Sequence, residues 1–172
     1  MASYTKFYRL RISINMKNLL LTFLFFLFSG VSVAADLMNQ NLMEKAVKNM
    51  ASHSEGGKGL VKFKFSNTQM YLISDVKHNR MRIIAPIIEY KKLTIKHLDA
   101  ILESNFHKSL DARYAVSKGV LYSAYIHSLA ELNETQIKSA VQQVANLALS
   151  FGNEYSSGML TYSGKSSVSN KK

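Results

Sequence analysis

The sequence predicts an α+β fold in which a five-stranded antiparallel sheet is packed by helices, in the order α-β-β-β-α-β-β-α. Segments whose apolar residues recur every three or four positions, the period of a helix, flank segments in which apolar and polar residues alternate, the period of a strand. Short turns join the strand-like segments, as is typical of antiparallel neighbours. With 172 residues, of which 47% are hydrophobic, the chain is long enough to bury one core.

The most strongly patterned stretch is a hairpin, Asp111–His127. Its alternation stops at Ser117-Lys118-Gly119 and resumes over Val120–Ile126, so two strands are joined by a short loop with Gly where a positive φ is required. We expect Asp111 and Arg113 to fix the entrance of this hairpin through charged hydrogen bonds.

Three further strands precede it, at Leu60–Phe65, Gln69–Val76 and Arg80–Ile88. Pro86 lacks an N–H group, so it predicts a strand edge or a bulge. In a meander, one open sheet face carries four cations, which are Lys62, Lys64, Arg80 and Arg82. This face is either a partner-binding surface or a solvated face whose charges guard against edge-to-edge aggregation.

Three helices complete the pattern. The first spans Leu37–His53 and ends before a Ser54–Gly57 loop; its methionine stripe fits either core packing or an adaptable binding surface. The second begins at the N-cap Thr94 and the third at the N-cap Asn133. The predicted buried stripe of the second helix is Ile95, Leu98, Ile101, Leu102 and Phe106, and that of the third is Ile137, Val141, Val144, Ala148 and Phe151.

The N-terminal segment has the pattern of a signal peptide over residues 1–35. From Met16, a positive Lys17 precedes the apolar run Leu19–Phe28, and small residues follow, so cleavage after Ala34 or after Ala35 fits equally well. Residues 1–15 are either an extended cationic start of this peptide or a start-site extension. The apolar run is shorter than the roughly 20 residues that span a bilayer, so we expect no membrane span after its removal. These features predict a periplasmic or secreted protein.

Residues 36–160 are then predicted to form a single domain, followed by a disordered Ser/Lys tail over residues 161–172. The chain is basic, with a formal net charge of +11, and it stays basic without residues 1–35. Such a charge favours anionic partners. Nucleic acid is the least available of these after export.

The sequence offers little for catalysis. It contains no Cys, which excludes disulfides, thiolate metal sites and a cysteine nucleophile. Asp99, Glu103 and His107 recur along one helix but extend too far to share one ion, so no metal and no cofactor are expected. A Ser-His-acid site built from Ser123, His127 and a distant acid lacks any supporting motif.

Three stretches carry a resemblance to a known family: RMRIIAPI at 80–87, ILESNFHKSLDARYAVSKGVLYSAYIH at 101–127, and QVANLALSFGNEYSSG at 143–158. With the order of elements, they resemble the YbjN-type domain, whose fold is similar to that of type III secretion chaperones. The resemblance covers residues 37–160 and implies a homodimer that regulates or binds other proteins, with no catalytic residues to carry over. Secretion chaperones, however, are cytosolic and often acidic, whereas this chain is basic and predicted to be exported.

The function expected is therefore that of an exported, non-enzymatic protein-binding or chaperone-like module, with an unknown, anionic protein or peptide as partner. The alternative is a cell-envelope hydrolase with an unrecognised site. The contact residues expected first are Tyr114, Tyr122 and Tyr125, because Tyr offers a large rigid surface with one polar end. Core packing is the alternative role for each of them.

Overall fold

The computed structural model describes residues 37–158. The predicted signal peptide of residues 1–35, with Ala34 and Ala35, and the predicted tail of residues 161–172 lie outside the described residues. The elements in chain order are α1 Gln40–Met50, β1 His53–Gly57, β2 Leu60–Phe65, β3 Thr68–Asp75, β4 Arg80–Glu89, α2 Ile95–His107, β5 Arg113–Ser117, β6 Val120–Ser128 and α3 Glu134–Leu149, with a 3₁₀ turn at Tyr90–Lys92.

The described strands form one antiparallel sheet in the order β1-β2-β3-β4-β6-β5. This confirms the α+β class, but the predicted count of five strands is wrong. The sixth strand is β1, whose residues are predicted from the sequence to form a helix end and a loop. It pairs with β2 at the sheet edge, with Glu55 opposite Lys62. Both of its faces are largely exposed, so its sequence lacks the apolar alternation of a half-buried strand.

The predicted hairpin is confirmed as β5 and β6. Lys118 and Gly119 form its turn with φ values of 47° and 74°, and two consecutive positive φ angles match the twist of antiparallel strands. The prediction for Pro86 is also confirmed, since the register of β4 against β6 shifts between Pro86 and Ile88. A bulge accommodates proline inside a central strand because the missing N–H group then leaves no gap in the ladder.

Helices α1 and α3 cover one face of the sheet. Asn133 caps α3 by accepting a hydrogen bond from the Gln136 N–H, and the Gln136 side chain accepts one from the Asn133 N–H. The apolar stripes of both helices enter the core with the alternate residues of the sheet. The largest fully buried side chains include Met43, Val47, Phe63, Met70, Leu72, Met81, Ile83, Leu121, Ile137 and Val141.

Helix α2 does not pack as the sequence predicts. Thr94 caps it, but Ile101 and Ser104 are its only buried residues. Three members of the expected buried stripe lie in the open, with exposed fractions of 76% for Ile95, 68% for Leu102 and 80% for Phe106. The amphipathic pattern predicts that a helix has an apolar face, but not that the face is covered within the same chain.

Candidate protein-binding surfaces

The sheet face opposite α1 and α3, called the open face here, is not covered by any described helix. The strand register places the predicted cations on it. Lys62 lies opposite Tyr71, Arg82 opposite Ile73, and Arg80 opposite Asp75. Lys64, two residues from Lys62 on the same strand, points the same way. The structure therefore brings the four predicted cations to one face.

The open face is electropositive because few of its cations are neutralised. Lys62 forms an ion pair with Glu55, with 2.7 Å between Nζ and Oε1, and this contact lowers the pKa of the Glu55 carboxyl. Asp75, another carboxylate on this face, pairs with His78. Within residues 37–158, Lys64 and Arg82 form no ion pair. Neither of these two cations is neutralised by a carboxylate within that range.

Apolar side chains lie between these cations. Arg82 is flanked in register by Ile73 on β3 and by Ile126 on β6, and Ile126 is 61% exposed. Ile84 lies between Tyr71 and Ala124 in the next row. The open face thus alternates charged and apolar groups, which suits a partner with the complementary alternation.

The three tyrosines expected to contact a partner separate into two groups. Tyr122 is half-buried on the open face, in register with Pro86 and Ala115. Tyr114 and Tyr125 point to the opposite face and belong to the core. The Tyr114 hydroxyl donates a 2.8 Å hydrogen bond to the Leu147 carbonyl, and burial raises its pKa far above the usual range. Core packing, the alternative left open by the sequence, describes these two residues.

A second surface, which the sequence analysis missed, is the α2 face, formed by Ile95, Leu98, Leu102 and Phe106. Beside it, an apolar groove of about 480 Å³ runs between α2 and β5, lined by residues that include Tyr90, Leu98 and Val116. Exposed apolar area that is contiguous in this way marks an interaction site more often than scattered exposed residues do. The only sequence signal for this surface is the amphipathic stripe itself, which predicts burial in the core.

Polar contacts attach α2 to the rest of the fold. The Asn105 side chain accepts a 2.8 Å hydrogen bond from the Tyr114 N–H and donates one of 3.1 Å to the Tyr114 carbonyl. It thereby occupies backbone groups that β5 presents at the edge of the sheet. The buried Ser104 hydroxyl donates to the carbonyl of Tyr155.

The hydrolytic pair considered from the sequence does not form. The Ser123 hydroxyl is buried without a hydrogen-bond partner among the described residues. His127 instead places Nδ1 2.8 Å from the carbonyl oxygen of Ser128. A serine nucleophile requires a hydrogen bond to its base, and these two residues lack it. Within residues 37–158, no three His, Cys, Asp or Glu side chains gather closely enough to hold a metal ion.

Asp111 and Arg113 hold the entrance of the hairpin as expected. Arg113 Nη1 donates to the carbonyls of Leu110 and Ala112, at 2.6 and 2.9 Å, and the Asp111 carboxylate accepts from Gln143 at 3.2 Å.

No helix in the described part of the chain is long and apolar enough to cross a membrane.

No family model and no curated protein matches the sequence, so the YbjN-type resemblance stays a prediction. Among solved structures, the HopA1–SchA chaperone–effector complex is similar at a TM-score of 0.49 and 11% identity, over 80% of this chain and 97% of that one. The Yersinia pestis type III secretion chaperone SycH, in complex with a stable fragment of YscM2, gives 0.49 and 15% over 66% and 98%. The ExsC–ExsE complex gives 0.47 and 14% over 66% and 92%.

Proposed function

We propose that the chain is an exported, non-enzymatic protein-binding module that holds an acidic, partly apolar protein segment on its open face. The observation that carries this proposal is the alternation of cations and apolar side chains on a sheet face without a helix cover. Arg82 between Ile73 and Ile126 is its centre. An extended segment with alternating acidic and apolar residues places a carboxylate at each cation, and it buries apolar area between them.

The module is a homodimer in this proposal, and the α2 face is its interface. A two-fold axis across a helix sets the same residues against each other, so Leu102 and Phe106 of one copy pack on the apolar side chains of the second. Burial of such side chains is worth roughly 25 cal/mol per Å² of apolar area. The open face is formed by the sheet rather than by α2, so it stays available in the dimer.

Export is the remaining part of the proposal, and it rests on the leader pattern of residues 1–35. Mass spectrometry of the protein recovered from cell fractions tests it. A chain in the envelope or medium that begins at Ala35 or Asp36 supports export. A chain that keeps Met16 and stays in the cytoplasm contradicts it.

Two synthetic peptides test the binding surface. One alternates Glu with Leu, and the other has Lys in place of Glu. Calorimetry with the purified protein is expected to detect saturable binding of the acidic peptide only. Arg82→Glu should weaken this binding tenfold or more, on the order of 1.5 kcal/mol or above, because it replaces an attraction by a repulsion.

Lys96→Glu is the matched control, since Lys96 is an exposed cation on α2 rather than on the open face. It changes the net charge equally and should leave binding almost unchanged. Equal losses in the two variants would show a response to net charge alone. That result, or equal binding of the acidic and basic peptides, would overturn the assignment of the open face.

A further inference from the structure

A polar notch lies where α3 meets the entrance of the β5–β6 hairpin. Its volume is about 430 Å³, within the range of small-molecule sites. The side chains that line it and matter here are Asp111, Arg113, Tyr125, His127, Ser139 and Gln143. The notch is separate from the α2 face, and its lining is polar where that of the α2 groove is apolar.

One wall of the notch is rigid because Gln143 is buried and fully bonded. Its side chain is 6% exposed. Its carbonyl oxygen accepts from the N–H groups of Asp111 at 2.8 Å and Ala112 at 3.1 Å, and its amide donates to the Asp111 carboxylate and the Ser139 hydroxyl. All four hydrogen-bonding positions of the amide are thus used. Asp111 is held in one orientation as a result.

Tyr125 contributes a hydroxyl group that is not engaged by any described residue. The residue is 6% exposed, and its ring stacks on that of His127 with 6.1 Å between centroids. Its hydroxyl forms no hydrogen bond with any residue from 37 to 158, although it faces the notch near Asp111. Burial and the Asp111 charge both raise the pKa of this phenol, so it is a neutral donor at physiological pH. Among the described residues, the only fully buried side-chain polar atoms without a partner are the hydroxyls of Ser74 and Ser123, so the Tyr125 hydroxyl opens into the notch, where water or a ligand can accept its hydrogen bond.

Arg113 supplies the opposite charge. Only its Nη1 nitrogen is used, on the carbonyls of Leu110 and Ala112, which leaves the other donors of the guanidinium available. In the described part of the chain, Arg113 and Asp111 form no ion pair with each other. The hydrogen bonds that fix each side chain therefore hold two opposite charges apart at one cavity instead of letting them neutralise each other.

We propose that this notch binds a small zwitterion of the α-amino acid type. The ligand's ammonium group lies against the Asp111 carboxylate, and its carboxylate accepts hydrogen bonds from the Tyr125 hydroxyl and from the free donors of Arg113. Opposite charges on one small molecule match the two fixed charges, whereas a simple amine or a simple acid satisfies only one of them. This site does not depend on the proposed protein partner.

Calorimetry of the purified protein with a panel of free α-amino acids tests the proposal. Glycine ethyl ester, which lacks the carboxylate, and N-acetylglycine, which lacks the ammonium group, serve as matched probes. At least one amino acid should bind saturably, and the two blocked probes should bind at least about tenfold more weakly. Absence of binding by every amino acid, or equal binding of a blocked probe, would overturn the proposal.

Tyr125→Phe and Asp111→Asn are the informative variants, because each changes one notch group and keeps the size of the side chain. Each should weaken amino-acid binding about fivefold or more while the unfolding midpoint stays close to that of the original protein. Tyr122→Phe is the control, since it removes a hydroxyl from the open face. Unchanged affinity in both notch variants would show that binding occurs elsewhere.

Discussion

Helices α2 and α3 begin alike and end in opposite environments. Each has a polar N-cap with a capping box and an apolar stripe. Ile137, in the first turns of α3, is fully buried, whereas Ile95, at the start of α2, is mostly exposed. An amphipathic stripe therefore predicts that one face of a helix is covered, but it does not identify what covers that face. The sheet covers α3, and the proposed cover of α2 is a second copy of the chain.

The largest expected effect on stability comes from truncating the isoleucine near the start of each helix to alanine, which removes the same atoms from α2 and from α3. Ile137→Ala should lower the free energy of unfolding by about 2–5 kcal/mol, because it leaves a cavity in the core. Ile95→Ala should lower it by less than about 0.5 kcal/mol when the chain is monomeric, because the side chain is already in solvent. Urea titration at low protein concentration measures both.

A different result for Ile95 would be as informative as the expected one. If Ile95→Ala costs as much as Ile137→Ala in a chain shown to be monomeric, α2 packs within the chain in solution. The contrast between the helices would then be lost.

The next largest effect is expected at Asn105, the side chain that attaches α2 to the edge of the sheet. Asn105→Ala should leave the N–H and carbonyl of Tyr114 without partners, which costs about 1–3 kcal/mol. Hydrogen exchange at the Tyr114 amide should accelerate about tenfold or more. Asn153→Ala is the control, because its exposed side chain makes no hydrogen bond within the described residues. Unchanged exchange at Tyr114 would mean that Asn105 does not secure α2.

Two fully buried serines, Ser123 on the sheet and Ser104 on α2, are expected to respond to truncation with opposite signs. The Ser123 hydroxyl has no partner on the sheet face that α1 and α3 cover, so Ser123→Ala should raise the free energy of unfolding by roughly 0.5–1 kcal/mol. The Ser104 hydroxyl, on α2, is bonded to the Tyr155 carbonyl and lies 3.1 Å from that of Ser109. Ser104→Ala should therefore be destabilising, by about 1 kcal/mol. Thermal unfolding of the two variants gives the signs, and equal signs would contradict this account.

The smallest expected effect is on the open face. Lys62 lowers the pKa of Glu55, so Lys62→Gln should raise that pKa toward its usual value, which an NMR titration measures. A lowered carboxyl pKa stabilises the fold above the ordinary pKa, and this contribution is lost as pH falls through the lowered value. Both groups are exposed, so the unfolding midpoint should hardly change. An unchanged Glu55 pKa would show that the ion pair does not form.

Most of the fold follows from local pattern. The caps Thr94 and Asn133, the Lys118-Gly119 turn and the Pro86 bulge are each determined by residues adjacent in sequence, and all were predictable. Strand β1 was not, because an edge strand exposed on both faces has no apolar alternation to detect. Its backbone pairing with β2, rather than burial of its own side chains, holds it in the sheet.

The candidate binding surfaces were only partly predictable, because they depend on tertiary packing as well as on local pattern. Alternation places Lys62, Lys64, Arg80 and Arg82 on one face, since side chains alternate strictly along a strand. Which face the helices cover is a tertiary property, and it put Tyr114 in the core but left Tyr122 on the open face. The notch at Asp111 joins residues 111–113, 125–127 and 136–143, which no local pattern connects.

The mass of the purified protein in solution shows whether the α2 face joins two copies of the chain. Size-exclusion chromatography with light scattering should give twice the chain mass for the original protein and the single chain mass for Leu102→Asp, with unchanged circular dichroism. A monomeric original protein at micromolar concentration, or a Leu102→Asp variant that remains dimeric, would contradict the assignment of the α2 face as an interface between two copies.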